Sequence, residues 1–532
     1  MVVQGEAQAE SHGDPGARRT YTHIEIMKIM SGLLLALLTS MISTSVVATA
    51  LPTIVGEFGA QEQLSWVASA TLLTMTASTP LWGKLSDLFG RKRMFQLALG
   101  LFVAGSMVAG LSQSMGMLIA ARAVQGLGTG GLSALTQVIL GDVVEPRERG
   151  RYSGYIGAVF GVSTVGGPLV GGFLVDTSWL GWRWCFYVCV PLAIVAFAVI
   201  QRVLRFDHDP RDARIDWWGA FTLTGGASAL MLLLSFGGHE FAWNSPWTYG
   251  LGGVVLVLFG LSIMAERRAA DPILPPRLVR DRTFVLAGAA SLLVGVSMFG
   301  ILIYLPQYLQ IVKGMSPTMS GIMTTPLVVS LLVSSVGCGR IVTRTGRWKI
   351  FPAAGLLLVA TGMAVLSLLH SDSGHWVIGA AIAIVGTGMG LTMQVLILAA
   401  QNAAQPRDMA VTTSGISFFR NLGGAVGVAA LGAVLANRVR DEMSGMLAAA
   451  HLAVPGGEGL SLGTPEAIGR LPPAIQHIVI EAFTRAMQSV FLASVPAAVL
   501  GFVAVLFLRE LPLRSSRTGE GAGSDGGTGR VA

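Results

Sequence analysis

Charge is what this 532-residue chain has least of: 12% of its residues are Asp, Glu, Lys or Arg, about half the share of a soluble domain. Together with 52% hydrophobic residues, that excludes a single core folded in water. Cysteine is nearly absent. Cys185 and Cys189 share one apolar run and Cys338 ends another. No Cys-x-x-Cys occurs, which excludes a disulfide framework or a zinc cluster and leaves buried, inert thiols. Lysine is scarce, 5 residues against 31 arginines. Gly83-Lys84 is followed by Leu85 and no Gly-x-x-x-x-Gly-Lys-Ser/Thr is present, so a primary pump is excluded. His239-Glu240 lacks the second His of a zinc hydrolase motif. Nothing implies an enzyme, a metal or a cofactor.

The residues present alternate between long apolar runs and short basic loops. A span needs ~20 apolar residues. Fourteen runs qualify, near 29–50, 66–83, 94–112, 115–141, 151–175, 184–203, 216–236, 248–265, 284–306, 319–338, 350–369, 376–400, 410–436 and 486–508. With the N-terminus inside, 28 of the 36 Lys and Arg fall on inner segments, whereas short outer loops hold only Arg183 and Lys313. This positive-inside asymmetry places both ends in the cytoplasm of a multi-pass cell-membrane protein. It also assigns the net charge of +7 to topology, not to nucleic acid. Ala48-Thr49-Ala50 resembles a signal-peptidase site, but the run before it is long enough to span and is read as retained.

An internal repeat organises the spans. Gly83…Gly90-Arg91 recurs as Gly339…Gly346-Arg347 at an offset of 256, Gly128-Thr129-Gly130 as Gly386-Thr387-Gly388 at 258, and Gln137 as Gln394 at 257. A constant offset over several elements indicates duplication. The expected fold is all-α: a six-helix bundle over 28–204, two inserted helices within 205–283, and a second six-helix bundle over 284–508 with an outer loop at 437–483. Tails 1–27 and 509–532 are expected to be disordered. A channel, whose symmetry usually runs across subunits, fits less well than a monomer with its symmetry inside one chain.

Four groups of residues carry the chemistry. Gly83, Asp87, Gly90, Arg91 and Lys92 form a tight inner loop. Asp87 is expected against the N-terminus of span thirteen and Arg91 against Asp142, latching an inner gate. Arg122, near Gln125, lies within span four, where a lone Arg costs about 2.5–3.5 kcal/mol, so it is expected to face inward and bind something. Arg420 is a second intramembrane cation. Gly167-Pro168 with Gly171 and Gly172 make span five a bending element. Thr39, Ser43, Thr71, Met75, Gln125, Gln137, Tyr304, Gln307 and Gln394 are candidates to line a cavity between the halves; each is equally a candidate for helix–helix hydrogen bonds.

These stretches together resemble the major facilitator superfamily: its loop signature at 83–93, its fourth-helix signature in Arg122…Gln125-Gly126, and its antiporter-associated fifth-helix signature in Gly167-Pro168…Gly171-Gly172. Ala50-Leu51-Pro52, Trp182-Arg183-Trp184, Tyr304-Leu305-Pro306-Gln307 and Phe418-Phe419-Arg420-Asn421 narrow the resemblance to fourteen-span drug:proton antiporters of the EmrB/QacA type. It covers roughly 28–508. It implies alternating-access export of small amphipathic molecules, with protons and the lipid bilayer as partners. The rivals are an exporter dedicated to one metabolite, lipid or siderophore, and a sensor of the same fold. Three positions depart from the family pattern: Ser43 stands where an Asp is common, Cys189 where an Asn is usual, and Ser163 where the antiporter signature has a glycine. The departure at Ser43 leaves two readings of coupling open. Either Asp142 forms a displaced relay with Arg91 or Arg122, or Arg122 and Arg420 engage a neutral or anionic substrate directly.

Overall fold

Apolar runs of this length leave the backbone one way to satisfy its polar groups away from water, which is to coil into helices. The computed structural model describes residues 22–58, 64–144, 148–177, 179–204, 216–237, 241–269, 275–315, 317–405, 408–449 and 472–513. Among them no strand occurs, only one isolated bridge between Gly237 and Phe241. The N-terminal helices are α1 (His23–Phe58), α2 (Leu64–Phe89), α3 (Arg91–Gly110), α4 (Met115–Val143), α5 (Arg149–Asp176), the short α6 (Trp184–Tyr187) and α7 (Cys189–Val203). Then come α8 (Trp217–Phe236), α9 (Pro246–Arg268) and a five-residue α10 (Pro276–Arg280). The C-terminal set is α11 (Arg282–Ile311), α12 (Pro317–Met323), α13 (Thr325–Thr345), α14 (Ile350–Leu366), α15 (His375–Ala403), α16 (Met409–Ala449) and α17 (Pro473–Leu506). Nine helical stretches of the described chain are long and apolar enough to cross a membrane.

Packing follows the repeat. Within the N-terminal set α4 lies against α2 and α3, and α1 against α5 and α7; within the C-terminal set α15 lies against α13 and α14, and α11 against α16 and α17. The two sets meet along α2 with α16 and α5 with α13. Glycines set these approaches: a Cβ on Gly83 would strike Ser414, and Cβ atoms on Gly154 and Gly161 would strike Val336 and Val328. α8 leans on α2 and α16, burying Ala227 and Met231 with Phe418, Leu422 and Ala425. α9 packs on α8 and turns Leu256 and Val257 outward.

Both inner loops end the same way. Gly90 (φ 89°) and Gly346 (φ 71°), 256 residues apart, hold left-handed backbone that other residues resist. Just after each, a lysine reaches the end of the last helix in its set: Lys92 Nζ donates to the Gln201 carbonyl at 2.8 Å, and Lys349 Nζ to that of Leu506 at 2.8 Å. A cation there answers the unpaired carbonyls of a helix C-terminus.

Three boundaries differ from the sequence reading. α1 starts at His23, within the expected tail, because Thr22 and Glu25 cap it reciprocally: Thr22 N donates to Glu25 Oε2 at 2.9 Å and Glu25 N to Thr22 Oγ1 at 3.3 Å. Residues 1–21 lie outside the described chain. α16 and α17 extend deep into the expected outer loop 437–483, since polarity ended the apolar run there while no proline breaks the helix; 450–471 lie outside the described residues. Residues 510–512 of the expected C-terminal tail are strapped down. Glu510 Oε1 accepts from the backbone N–H groups of Trp348 (2.9 Å) and Lys349 (3.2 Å), and the Leu511 carbonyl accepts from Trp348 Nε1 at 3.0 Å.

Gly423 abuts the Leu292 carbonyl of α11, whereas a Cβ on Gly253 of α9 meets nothing. Gly423→Ala is therefore expected to destabilise the purified protein by about 1–3 kcal/mol through overpacking. Gly253→Ala is expected to be neutral, or stabilising by up to about 1 kcal/mol from helix propensity. Thermal melts in detergent, read by size-exclusion fluorescence, compare the two.

Candidate transport pathway and gate

At the inner end of α2, Asp87 pairs with Arg91 at 2.7 Å, and Arg91 Nε pairs with Asp142 Oδ2 at 2.7 Å. Arg91 Nη1 also donates to Ser86 Oγ at 2.6 Å, which in turn donates to the Gly83 carbonyl at 2.7 Å. One guanidinium thus joins the α2–α3 turn to the end of α4. Burial pushes the Asp87 carboxyl up from its ordinary range, against the pull of Arg91. Gly83 sits on Ala410 and Ser414, in the first turns of α16, so this knot faces the N-terminus of that helix. Lys92 is not joined to it; its ammonium serves α7. The repeat-related loop carries Thr343 at the position of Asp87, so the acidic half of the knot exists once.

Deeper, Arg122 of α4 is 3% exposed. Its Nη1 donates to Gln125 Oε1 at 2.6 Å, and its Nε to the Val67 carbonyl at 3.5 Å. Gln125 passes the contact on: its Nε2 donates to Ser43 Oγ at 2.9 Å and Ser106 Oγ at 2.7 Å. Thr71 Oγ1 donates to the Arg122 carbonyl at 3.1 Å. Ser43, Gln125 and Arg122 are therefore one network tying α1, α3 and α4 together, without a carboxylate.

Between the two helix sets lie two adjoining cavities. The inner one is walled by Gln137, Leu140 and Gly141 of α4, by Gln394, Ile397, Leu398 and Gln401 of α15, and by Ser335 to Val342 of α13. Gln137, Leu140 and Gly141 stand 257 residues before Gln394, Ile397 and Leu398, so equivalent positions of the repeat line one space from opposite sides. The second cavity, sharing Ser335, Gly390 and Gln394, is apolar: Phe160, Met298, Leu302, Leu331, Met389 and Met393 line it. Soft thioethers and a ring accept varied shapes.

The other predicted liners stand elsewhere. Tyr304 is buried and donates to the Val428 carbonyl at 2.6 Å, bracing α11 on α16. Gln307 is exposed. Thr39 donates to its own helix at Leu35. Gly167 and Gly171 approach Ser45 and Val46–Thr49 of α1, Gly172 meets nothing, and Pro168 lies within a continuous α5. Sequence reasoning named Met75, which the described lining of neither cavity includes, and missed Met298, Met389 and Met393. Stepping one turn along α15 from Gln394 would have reached Gly390, and Met389 and Met393 stand just before those two. It also missed a bidentate pair at the foot of α16, where Arg277 of α10 meets Asp408 at 2.9 and 2.6 Å; no local pattern announces a contact across 131 residues.

The family profile described as Major Facilitator Superfamily matches residues 33–428. An uncharacterized MFS-type transporter of Mycobacterium tuberculosis is 38% identical over 485 residues, covering 91% of this chain and 70% of the relative. The multidrug transporter protein MdtP of Bacillus subtilis is 33% identical over 511 residues, covering 92% and 94%. Among solved structures, that of the human organic anion transporter MFSD10 (TETRAN) matches with a TM-score of 0.61 at 14% identity over 90% of this chain and 99% of that one, a likeness of fold.

Removing the Gln125 amide leaves Arg122 with the long Val67 contact alone. Gln125→Leu is expected to destabilise by about 3–5 kcal/mol, the range for stranding a buried charge, and Gln125→Glu much less. Denaturation of the two variants in detergent measures the difference.

Proposed function

The chain belongs to the Major Facilitator Superfamily, whose members are membrane transporters and not enzymes, and from that premise we propose that it exports small amphipathic molecules, driven by the proton gradient. The observation that carries the reading is the pair of cavities between repeat-related helices, apolar in one and amide-lined in the other. Relatives named as multidrug transporters support export over uptake. We read α6 with α7 and α12 with α13 as single crossings, so that the chain crosses fourteen times as two six-helix halves with α8 and α9 inserted. It stands as a monomer in the cell membrane with both ends inside.

The mechanism is alternating access across the inner contacts. We read the contacts of Gly83 on α16 and Gly154 on α13, with Arg91 holding Asp87 and Asp142, as the closed form of the inner gate. A proton on Asp87 is favoured by burial in this closed arrangement and is released when the gate opens and the carboxylate meets water. This relay stands in for the acid that Ser43 does not supply. Since burial raises the Asp87 pKa in this closed arrangement, the closed form gains as the pH falls and that preference is lost as the pH rises through the raised pKa.

Inside-out vesicles loaded by respiration test the coupling. A panel of amphipathic dyes is expected to accumulate in the acid lumen and to leak back when a proton ionophore is added. Asp87→Asn is expected to lower the rate at least tenfold and to flatten its pH dependence. Dye flux indifferent to the ionophore would refute proton drive.

A further inference from the structure

Two arginines lie inside the spanning helices, and they are treated differently. Arg122 is answered by Gln125. Arg420 is 5% exposed and makes no hydrogen bond, ion pair or ring contact with any described residue. Neither does its neighbour Asn421, at 6%. The Thr76 hydroxyl on α2 is buried without a hydrogen-bond partner. Thr76 is two turns outward of Gly83 on the same face of α2. Because Gly83 rests on Ser414 and the helices run antiparallel, Thr76 comes level with residues 417–421 of α16.

The direction of Arg420 follows from its own stripe. Met409, Thr413, Ile416 and Arg420 recur every three or four residues and share a face. Met409 borders the space at Gly141 of α4, where its Sδ would lie 3.5 Å from a Cβ, and Thr413 accepts from Gln401 of α15 at 2.8 Å. Met409 and Thr413 thus border the space between the two helix sets, while Ile416, on the flank of the stripe, packs on Phe284 and Ala287 of α11. Arg420 lies eleven residues from the inner end of α16, roughly 16 Å, at mid-depth. Gly295 of α11 packs on the Arg420 backbone, and Met298, one turn on, lines the apolar cavity. Among the described residues no Asp or Glu lines either cavity.

We infer that Arg420, with Asn421 and Thr76, binds the anionic group of the transported molecule, so that the substrate is an amphiphile bearing a carboxylate, sulfonate or phosphate. This rests on the export reading above. An unanswered buried cation is costly, and an oxyanion restores it with charge-assisted hydrogen bonds that a guanidinium makes two at a time. The apolar body of the molecule then occupies the methionine-lined cavity. A cationic drug finds no carboxylate there and meets a like charge.

The test uses the purified full-length protein, for binding in detergent and for flux in proteoliposomes, with carboxyfluorescein as the anion, ethidium as the cation and Nile red as the neutral probe. The wild type is expected to bind and move carboxyfluorescein. Arg420→Gln is expected to weaken carboxyfluorescein binding at least thirtyfold while leaving Nile red within twofold, and Arg420→Lys to restore part of the loss. Preference for ethidium, or equal loss of all three probes in Arg420→Gln, would overturn the anion site and leave export standing. Displacement of carboxyfluorescein by an equal concentration of inorganic phosphate would overturn the amphiphile. Arg420-dependent carboxyfluorescein binding with no ionophore-sensitive flux of any probe would instead sink the export reading and keep the site.

Discussion

A charge placed among apolar helices must find an answer there, because no water is at hand to solvate it. The chain places few charges inside, and the structure answers several of them with neighbours of its own, Arg420 being the exception. Arg91 is shared by two carboxylates where α2 turns into α3 and α4 ends. Arg122 is solvated by a glutamine that itself leans on two serines. Arg277 holds Asp408 at the foot of α16. These ties lie at helix ends or between helices of one set, so the long surfaces between the sets are left to glycine and aliphatic contact. Such surfaces slide more readily than paired charges separate.

The division also explains the placement of the cavities. Ion pairs would be expensive to break in every cycle, whereas the Gly154–Val336 and Gly161–Val328 contacts are made by shape alone. Gly161 and Val328 themselves stand in the wall of the methionine-lined space, so the shape contact borders the cavity directly. Family membership accounts for the general plan; the particular lining comes from residues such as Met389 and Met393 that no signature contains.

Much of this was legible in the sequence. The repeat offset and the basic loops set out the helical plan, and the glycines and charges of the α2–α3 turn pointed to Asp142 because a basic residue at a buried turn needs an acid nearby. What the sequence hid was of two kinds. Lys92 and Lys349 bond to backbone carbonyls, and a carbonyl has no letter in the sequence. Tyr304 looked like a cavity liner because polar aromatics suit ligands, but its hydroxyl found the backbone at Val428. The length of α16 escaped notice because hydropathy measures where lipid ends, not where a helix does.

Those two lysines have a bearing on how each half behaves as a body. A helix set in which the helix after the inner turn begins by gripping the end of the last helix is closed on itself, as a hoop is closed by its rivet. Such a hoop resists being opened at one helix and tends to tilt whole. With only five primary amines on side chains in the entire chain, two of them are the rivets. Amine-directed labelling of the folded protein therefore reports on the integrity of the hoops, and slow labelling at Lys92 and Lys349 through a transport cycle is the signature of halves that rock without deforming.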